Sequence, residues 1–267
     1  MGGIRTSEVN GMRGKFETFL FTFLVLLFVA GLSLALYPYV QGAIVDGIMA
    51  RQSEEFLTRV EIINNTAEQE ESVIVVTEPQ ETEPRQHLEL WEKMTAYNES
   101  IYAQGQTGLA NSYAYEIPSF ILKDYGLEDE IFGVISIPKL ELEMPIFLGA
   151  SYQNMADGAA VLSQTSIPIG GKNTNAVIAG HRGWGGASYF RYITDLEVGD
   201  EVIITNLWET MTYTVSGVRI IDPTSVDDIL IHEGKDMITL LTCHPYASGG
   251  KQRYLVFCER SLSPGSE

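Results

Sequence analysis

The chain has 267 residues, 45% of them apolar, and a formal net charge of −18. That length holds one large domain or a smaller one with accessories. The acidic balance leaves no basic footprint for phosphates and excludes nucleic-acid binding, and two cysteines are too few for a disulfide framework.

In chain order, the first feature is the charge-free run "FLFTFLVLLFVAGLSLAL", Phe19 to Leu36. As a helix it rises about 27 Å, close to a bilayer core of about 30 Å. Arg5, Arg13 and Lys15 precede it, and Tyr37 and Tyr39 follow as interfacial aromatics. The basic flank predicts a cytoplasmic N-terminus (1–18), a single-pass anchor (19–39) and an extracellular remainder. A cleaved signal peptide fits less well: its apolar core spans about 7–15 residues, and "LALYPY" offers no small-residue cleavage site.

Residues 40–86 are rich in glutamate, and "TEPQETEPR" (Thr77 to Arg85) reads as a solvated, disordered spacer. Residues 87–130 form a helical, lid-like segment. Within it "HLELWEKMTAYNESIYAQG" spaces Leu88, Trp91, Met94, Ala96 and Ile101 as an amphipathic helix that packs on the following domain. From 131 to 261 the texture changes to short β runs separated by Gly, Pro, Asn and Asp. "FGVISIP", "LEMPIFLG", "AAVLS", "NAVIAGHR", "EVIITN", "MTYTVSGVRII", "DMITLLTC" and "RYLVFCER" give eight strands, with one short helix at Ala187 to Leu196. This is a mainly β domain, a closed barrel or sandwich with a few short helices. Residues 262–267 are a tail.

The last two strands are joined by nine residues, His244 to Gln252, and are most simply antiparallel neighbours. Cys243 then stands beside Arg253 at one rim of the sheet. A guanidinium beside a cysteine favours the thiolate and can donate to a substrate carbonyl. In this register Cys258 lies five residues further down, about 16 Å away, whereas a disulfide needs Cα atoms within about 7 Å. Cys258 therefore reads as a buried apolar residue. No C-x-x-C or H-x-x-x-H spacing supports a zinc site, and no metal or cofactor is expected.

His244, adjacent to Cys243, should point to the opposite face of the strand. His181 is the better proton shuttle, because it ends the run "NAVIAGH" before the Gly-rich "RGWGGAS". His232 lies in a polar loop and His87 in the spacer helix; both read as surface residues. From the residues alone, Cys243, His181 and Arg253 compete with a purely structural role for each.

"TLLTC" (Thr239 to Cys243) with Arg253 ten residues later resembles the T-L-x-T-C…R signature of sortases, and "NAVIAGHRG" resembles their histidine segment. "GGKNTNAVIAGHRG", "LLTCHPY" and "FGVISIPKLELEMPIFLGAS" are similar to class C sortases, the pilus-assembling branch. The resemblance spans about residues 130–260. It implies an eight-stranded sortase β-barrel in which Cys243 attacks the Thr–Gly carbonyl of an LPxTG-type sorting signal. His181 would serve as general acid and base, and Arg253 would hold the substrate backbone and oxyanion. Thr242 would supply a hydroxyl contact to substrate or simply fill a strand position. The implied partners are LPxTG-motif pilin or surface proteins, with a pilin lysine or a lipid-linked peptidoglycan precursor as amine acceptor.

Two departures from class C stand out. The Asp-Pro-aromatic lid tripeptide is missing, and "TGLANSYAYEIPSFILKDYG" (Thr107 to Gly126) occupies its place, as a different lid or none. Only "SLSPGSE" follows Arg260, so the N-terminal anchor is the one membrane helix expected. The alternatives are general anchoring of surface proteins and, in another class, an inert tethered binding module. An L,D-transpeptidase would need an S-H-G-C arrangement that the sequence lacks.

Overall fold

The computed structural model describes residues 5–71, 87–110 and 115–261. The sequence from 131 onward closes into an eight-stranded barrel of order β1-β2-β3-β4-β7-β8-β6-β5. Its strands are β1 (Ile131–Ile137), β2 (Leu142–Leu148), β3 (Ala159–Val161), β4 (Thr174–Ala179), β5 (Glu201–Asn206), β6 (Thr210–Ile221), β7 (Asp236–His244) and β8 (Gln252–Arg260). All eight expected strands form. β2 with β3 and β4 with β7 are parallel, and every other pair is antiparallel. Closure leaves no unpaired edge.

β4, β7 and β8 are apolar on both faces, as strands covered on two sides must be. Ile178, Ile238, Leu240, Val256 and Cys258 belong to the main core inside the barrel. Val177, Ala179, Leu241 and Leu255 belong to a second apolar cluster on the outer face. That second cluster is capped by Ile229 and Leu230 of the β6–β7 loop. Asn175 on β4 fixes the loop, its Nδ2 donating to the carbonyls of Ile229 (3.1 Å) and Leu230 (3.2 Å).

Two helices precede the barrel, α1 (Arg5–Glu71) and α2 (Leu88–Ala103), and a short α3 (Tyr152–Asp157) lies between β2 and β3. α2 docks on the domain as expected, but on a face shifted from the one its spacing named: Leu90, Met94 and Ile101 are buried while Leu88 and Ala96 are exposed. Asn98 clamps the backbone of Ile167 from both sides. α1 differs from expectation. The acidic spacer foreseen from residue 40 is helical to Glu71, and Met49, Phe56 and Val60 are buried against the barrel. Burying side chains of this kind stabilises by about 1.5–3 kcal/mol each, enough to hold the helix down despite its acidic exposed face. The expected spacer at 72–86, with "TEPQETEPR", and the tail at 262–267 lie outside the described residues.

A second difference falls at Ala187–Leu196. Only a 3₁₀ turn forms there, Ile193–Asp195. The chain instead closes a loop, with the Phe190 N–H donating to the His181 carbonyl at 2.9 Å. Tyr189, at φ 42°, sits in the left-handed region, which a helix cannot pass through.

Candidate active site

The register of three neighbouring strands assembles the site. On β7 and β8, Cys243 pairs directly with Arg253. On the other side, Ala179 of β4 pairs with Leu241 of β7 in parallel, and the Gly180 N–H continues the ladder to the Leu241 carbonyl at 3.0 Å. Two residues further on, His181 draws level with Cys243. The rim thus reads His181, Cys243, Arg253 across adjacent strands about 4.8 Å apart. Because side chains alternate, all three share the outer face with Ala179, Leu241 and Leu255.

The next residues on each strand make a different row on the opposite face. There the Arg182 guanidinium meets His244 Nδ1 at 2.9 Å and donates to Thr194 Oγ1 at 3.2 Å, while the His244 ring packs on Tyr254. His244 is thereby occupied away from Cys243, in keeping with the alternation of the strand.

His181 is half-buried between Trp184, at 5.4 Å between ring centroids, and Tyr189, at 5.5 Å and edge-on. Burial under these rings lowers its pKa from the ordinary imidazole value. Its Nε2 is buried with no hydrogen-bond partner among the described residues. Gly180 is required just before it, since a Cβ there would lie 2.6 Å from the Phe190 ring. Arg253 Nη1 donates to the carbonyls of Gly250 (2.8 Å) and Gln252 (3.1 Å), and no carboxylate pairs with it among the described residues. Gly250, at φ 78°, lets the β7–β8 loop pass close over the pair: a Cβ there would lie 3.1 Å from Arg253 Nη1 and 3.3 Å from Cys243 Sγ.

Thr242 does not face this groove. It is 1% exposed and its hydroxyl donates to the Gly180 carbonyl at 2.8 Å. Lying on the opposite face from Cys243, it ties β7 to β4 beneath His181, so the expectation of a substrate contact is replaced by a structural one. Cys258 is fully buried opposite Ile238, and burial pushes its thiol far up. Of the described residues in 107–126, Leu109 and Tyr115 join the second apolar cluster on the outer face, the Tyr115 hydroxyl donating to the Leu109 carbonyl. Leu122 is instead buried in the main core, with Phe120 and Tyr125 packed against it. Cys243 itself stays partly exposed. Sequence reasoning missed Trp184, Tyr189 and Gly250. The aromatic within "RGWGG" was the one local signal for the first.

A cysteine flanked on one sheet face by a histidine and an arginine, carried on a closed β-barrel, has the parts of a cysteine-dependent group-transfer enzyme. The chain belongs to the sortase family, a family of cysteine transpeptidases: the sortase-domain model matches residues 135–261. Sortase C-1 of Streptococcus pneumoniae superposes with a TM-score of 0.60 at 30% identity, over 80% of this chain and 99% of that one. Sortase C1 of GBS pilus island 1 gives 0.58 at 32% identity, over 65% of this chain and 87% of that one. Sortase D of Bacillus subtilis is 27% identical over 130 residues, 48% of this chain and 63% of its own length. The chain therefore spans less than two thirds of the curated relatives it matches.

Proposed function

We propose that the chain is a membrane-anchored transpeptidase that cleaves an LPxTG-type sorting signal between Thr and Gly and transfers the acyl group to an amine. The observation that carries this reading is the registered row His181, Cys243, Arg253 on a sortase-family barrel. The Cys243 thiolate adds to the Thr carbonyl carbon, and the Arg253 guanidinium donates to the oxyanion that develops. The C–N bond breaks, the proton of the His181 imidazolium passes to the departing glycine nitrogen, and a thioester remains. The incoming amine attacks that thioester, neutral His181 takes its proton, and the thiolate leaves.

The apolar outer face that continues from the row through Ala179, Leu241 and Leu255 suits the Leu-Pro portion of such a signal. Leu109 and Tyr115 rest on this face, so a bound signal has to displace them. The likeness to the sortase of a pilus island supports a pilin lysine as acceptor; anchoring to a lipid-linked peptidoglycan precursor is the competing outcome. Residues 16–41 of α1 are exposed throughout, and the apolar run between Phe16 and Ile63 is long enough to cross a membrane. With the basic flank before it, this supports a cytoplasmic N-terminus and an extracellular barrel.

The test is incubation with an LPxTG-type peptide without added amine, followed by intact mass. A Cys243-linked acyl adduct in the wild type, absent from Cys243→Ala, is expected. Identical masses for the two proteins would overturn the reading.

A further inference from the structure

α1 is exposed on every side from residue 16 to 41, and the first residue that the barrel covers is Gly42. Gly42 does not meet a strand. It meets the loop between His181 and Phe190: a Cβ on Gly42 would lie 2.2 Å from the Gly186 carbonyl oxygen, and one on Gly186 would lie 1.9 Å from the Pro38 carbonyl oxygen. One turn further, Asp46 accepts the Ser188 backbone N–H at 3.0 Å and the Ser188 hydroxyl at 3.4 Å. The loop is cinched at its base by the Phe190 N–H on the His181 carbonyl, and it carries Trp184 and Tyr189, the two rings that enclose the His181 imidazole. Helix and loop touch backbone to backbone, which only glycine on both sides permits.

We propose that Gly42 and Asp46 are positioning residues for His181, so that the membrane-proximal part of α1 belongs to the active-site scaffold as well as to the anchor. The loop has other holds: the Tyr189 hydroxyl donates to the Ala156 carbonyl at 2.6 Å, the Trp184 ring stands edge-on to Tyr152, and Ala187 is buried. The helix adds to them a direct fix on Gly186 and Ser188. The geometry also fixes the distance from the bilayer. Gly42 follows Leu36, the end of the apolar run, by six residues, about 9 Å of helix. The histidine loop therefore sits within about two helical turns of the membrane boundary, and a chain cut anywhere after Asp46 loses the contact.

This inference rests on the reading of His181 as the proton-transfer group, and its test separates the two. The full chain in uncharged detergent micelles would be compared as wild type, Gly42→Ala, Asp46→Ala, Asp46→Asn and Glu54→Ala, the last on the exposed face of the same helix. Peptide-cleavage kcat and KM, thermal midpoint and the NMR titration of the His181 imidazole are followed. Asp46→Ala and Gly42→Ala should lower kcat by about 10- to 100-fold, the cost of a small misplacement of a reacting group, with KM little changed in both and the thermal midpoint little changed in Asp46→Ala. The imidazole midpoint should move up as the loop opens to water. Asp46→Asn, which keeps an acceptor for the Ser188 N–H, should recover most of the loss, and Glu54→Ala should match wild type. Wild-type kcat and an unmoved imidazole titration in both Asp46→Ala and Gly42→Ala would overturn the proposal; if Gly42→Ala does not fold, the Asp46 pair decides alone. Should the wild type fail to cleave the peptide, the functional reading falls, while the imidazole titration still decides whether the helix positions the loop.

Discussion

Cys243 on β7 and Arg253 on β8 are direct partners in an antiparallel pair, one step from the loop that joins His244 to Gln252, with Gly250 crossing above. The guanidinium spends two hydrogen bonds on its own loop and meets no carboxylate among the described residues, so its charge is held in place and left for the reaction. Removing it should therefore act on the transition state more than on folding. Arg253→Ala should lower kcat for peptide cleavage by about 10²–10³-fold, the cost of losing one oxyanion donor. Arg253→Lys should recover little, because a point charge does not reproduce the planar fork. Steady-state kinetics together with a thermal melt separates this from unfolding: a parallel collapse of melting temperature would assign Arg253 to structure.

Cys258 provides the internal control. It lies fully buried in the barrel, and burial raises its thiol so far that the nucleophilic thiolate is suppressed. Iodoacetamide on the folded chain should therefore modify Cys243 alone, with Cys258 reacting only after denaturation. Cys258→Ala should retain full transfer activity and lose on the order of 1–2 kcal/mol in urea unfolding, a modest cavity cost. Mass mapping of the labelled peptides checks the first part, and labelling of native Cys258 at a rate near that of Cys243 would refute it.

The barrel was legible because each strand is a short β-branched or apolar run ended by Gly, Pro, Asn or Asp, and strand identity survives without knowledge of partners. The pairing of Cys243 with Arg253 was legible for a local reason, a nine-residue connection that leaves an antiparallel hairpin as the simplest route. His181 was singled out because it ends an apolar run before a Gly-rich loop, but setting it beside Cys243 needed a parallel β4–β7 pairing between segments some sixty residues apart, which no local pattern announced. Two long-range features escaped as well. Met49, Phe56 and Val60 lie on one helical face, but they are diluted in a stretch whose glutamates dominate composition, so the stretch read as spacer. Asp46 and Ser188 are 142 residues apart, and nothing local in either segment announces the other. Thr242 had two open readings, a hydroxyl contact to substrate and a strand position. The alternation that set His244 aside already favoured the second, and Thr242 stands there buried, with its hydroxyl on the Gly180 carbonyl.

The segment at 107–126 gives a third prediction. Leu109 is 1% exposed and Tyr115 is half-buried, both on the apolar face that runs from the Cys243 row, while Cys243 remains partly open. Small and large reagents should therefore respond differently. Tyr115→Ala should leave the iodoacetamide rate at Cys243 within about twofold and lower KM for an LPxTG-type peptide, since a peptide has to displace the segment and iodoacetamide does not. If deleting residues 107–126 accelerates alkylation strongly, the segment shields the thiol itself.

The remaining prediction concerns protonation of His181. Its imidazole is half-buried between Trp184 and Tyr189, and that burial lowers its pKa. An NMR titration of the folded chain should place its midpoint below the ordinary value of about 6.5. Trp184→Ala, which uncovers one ring face, should bring it back up. The same difference sets a sign for stability. The unfolded chain binds the proton more readily than the folded one, so stability from this residue is intact above about pH 6.5, declines as the pH falls toward the lowered folded value, and levels off below it. Trp184→Ala should therefore show a smaller loss of urea stability between pH 8 and pH 5.5 than wild type. A wild-type midpoint at or above that of an exposed imidazole, with equal losses in the two proteins, would show that the rings do not govern the charge of His181.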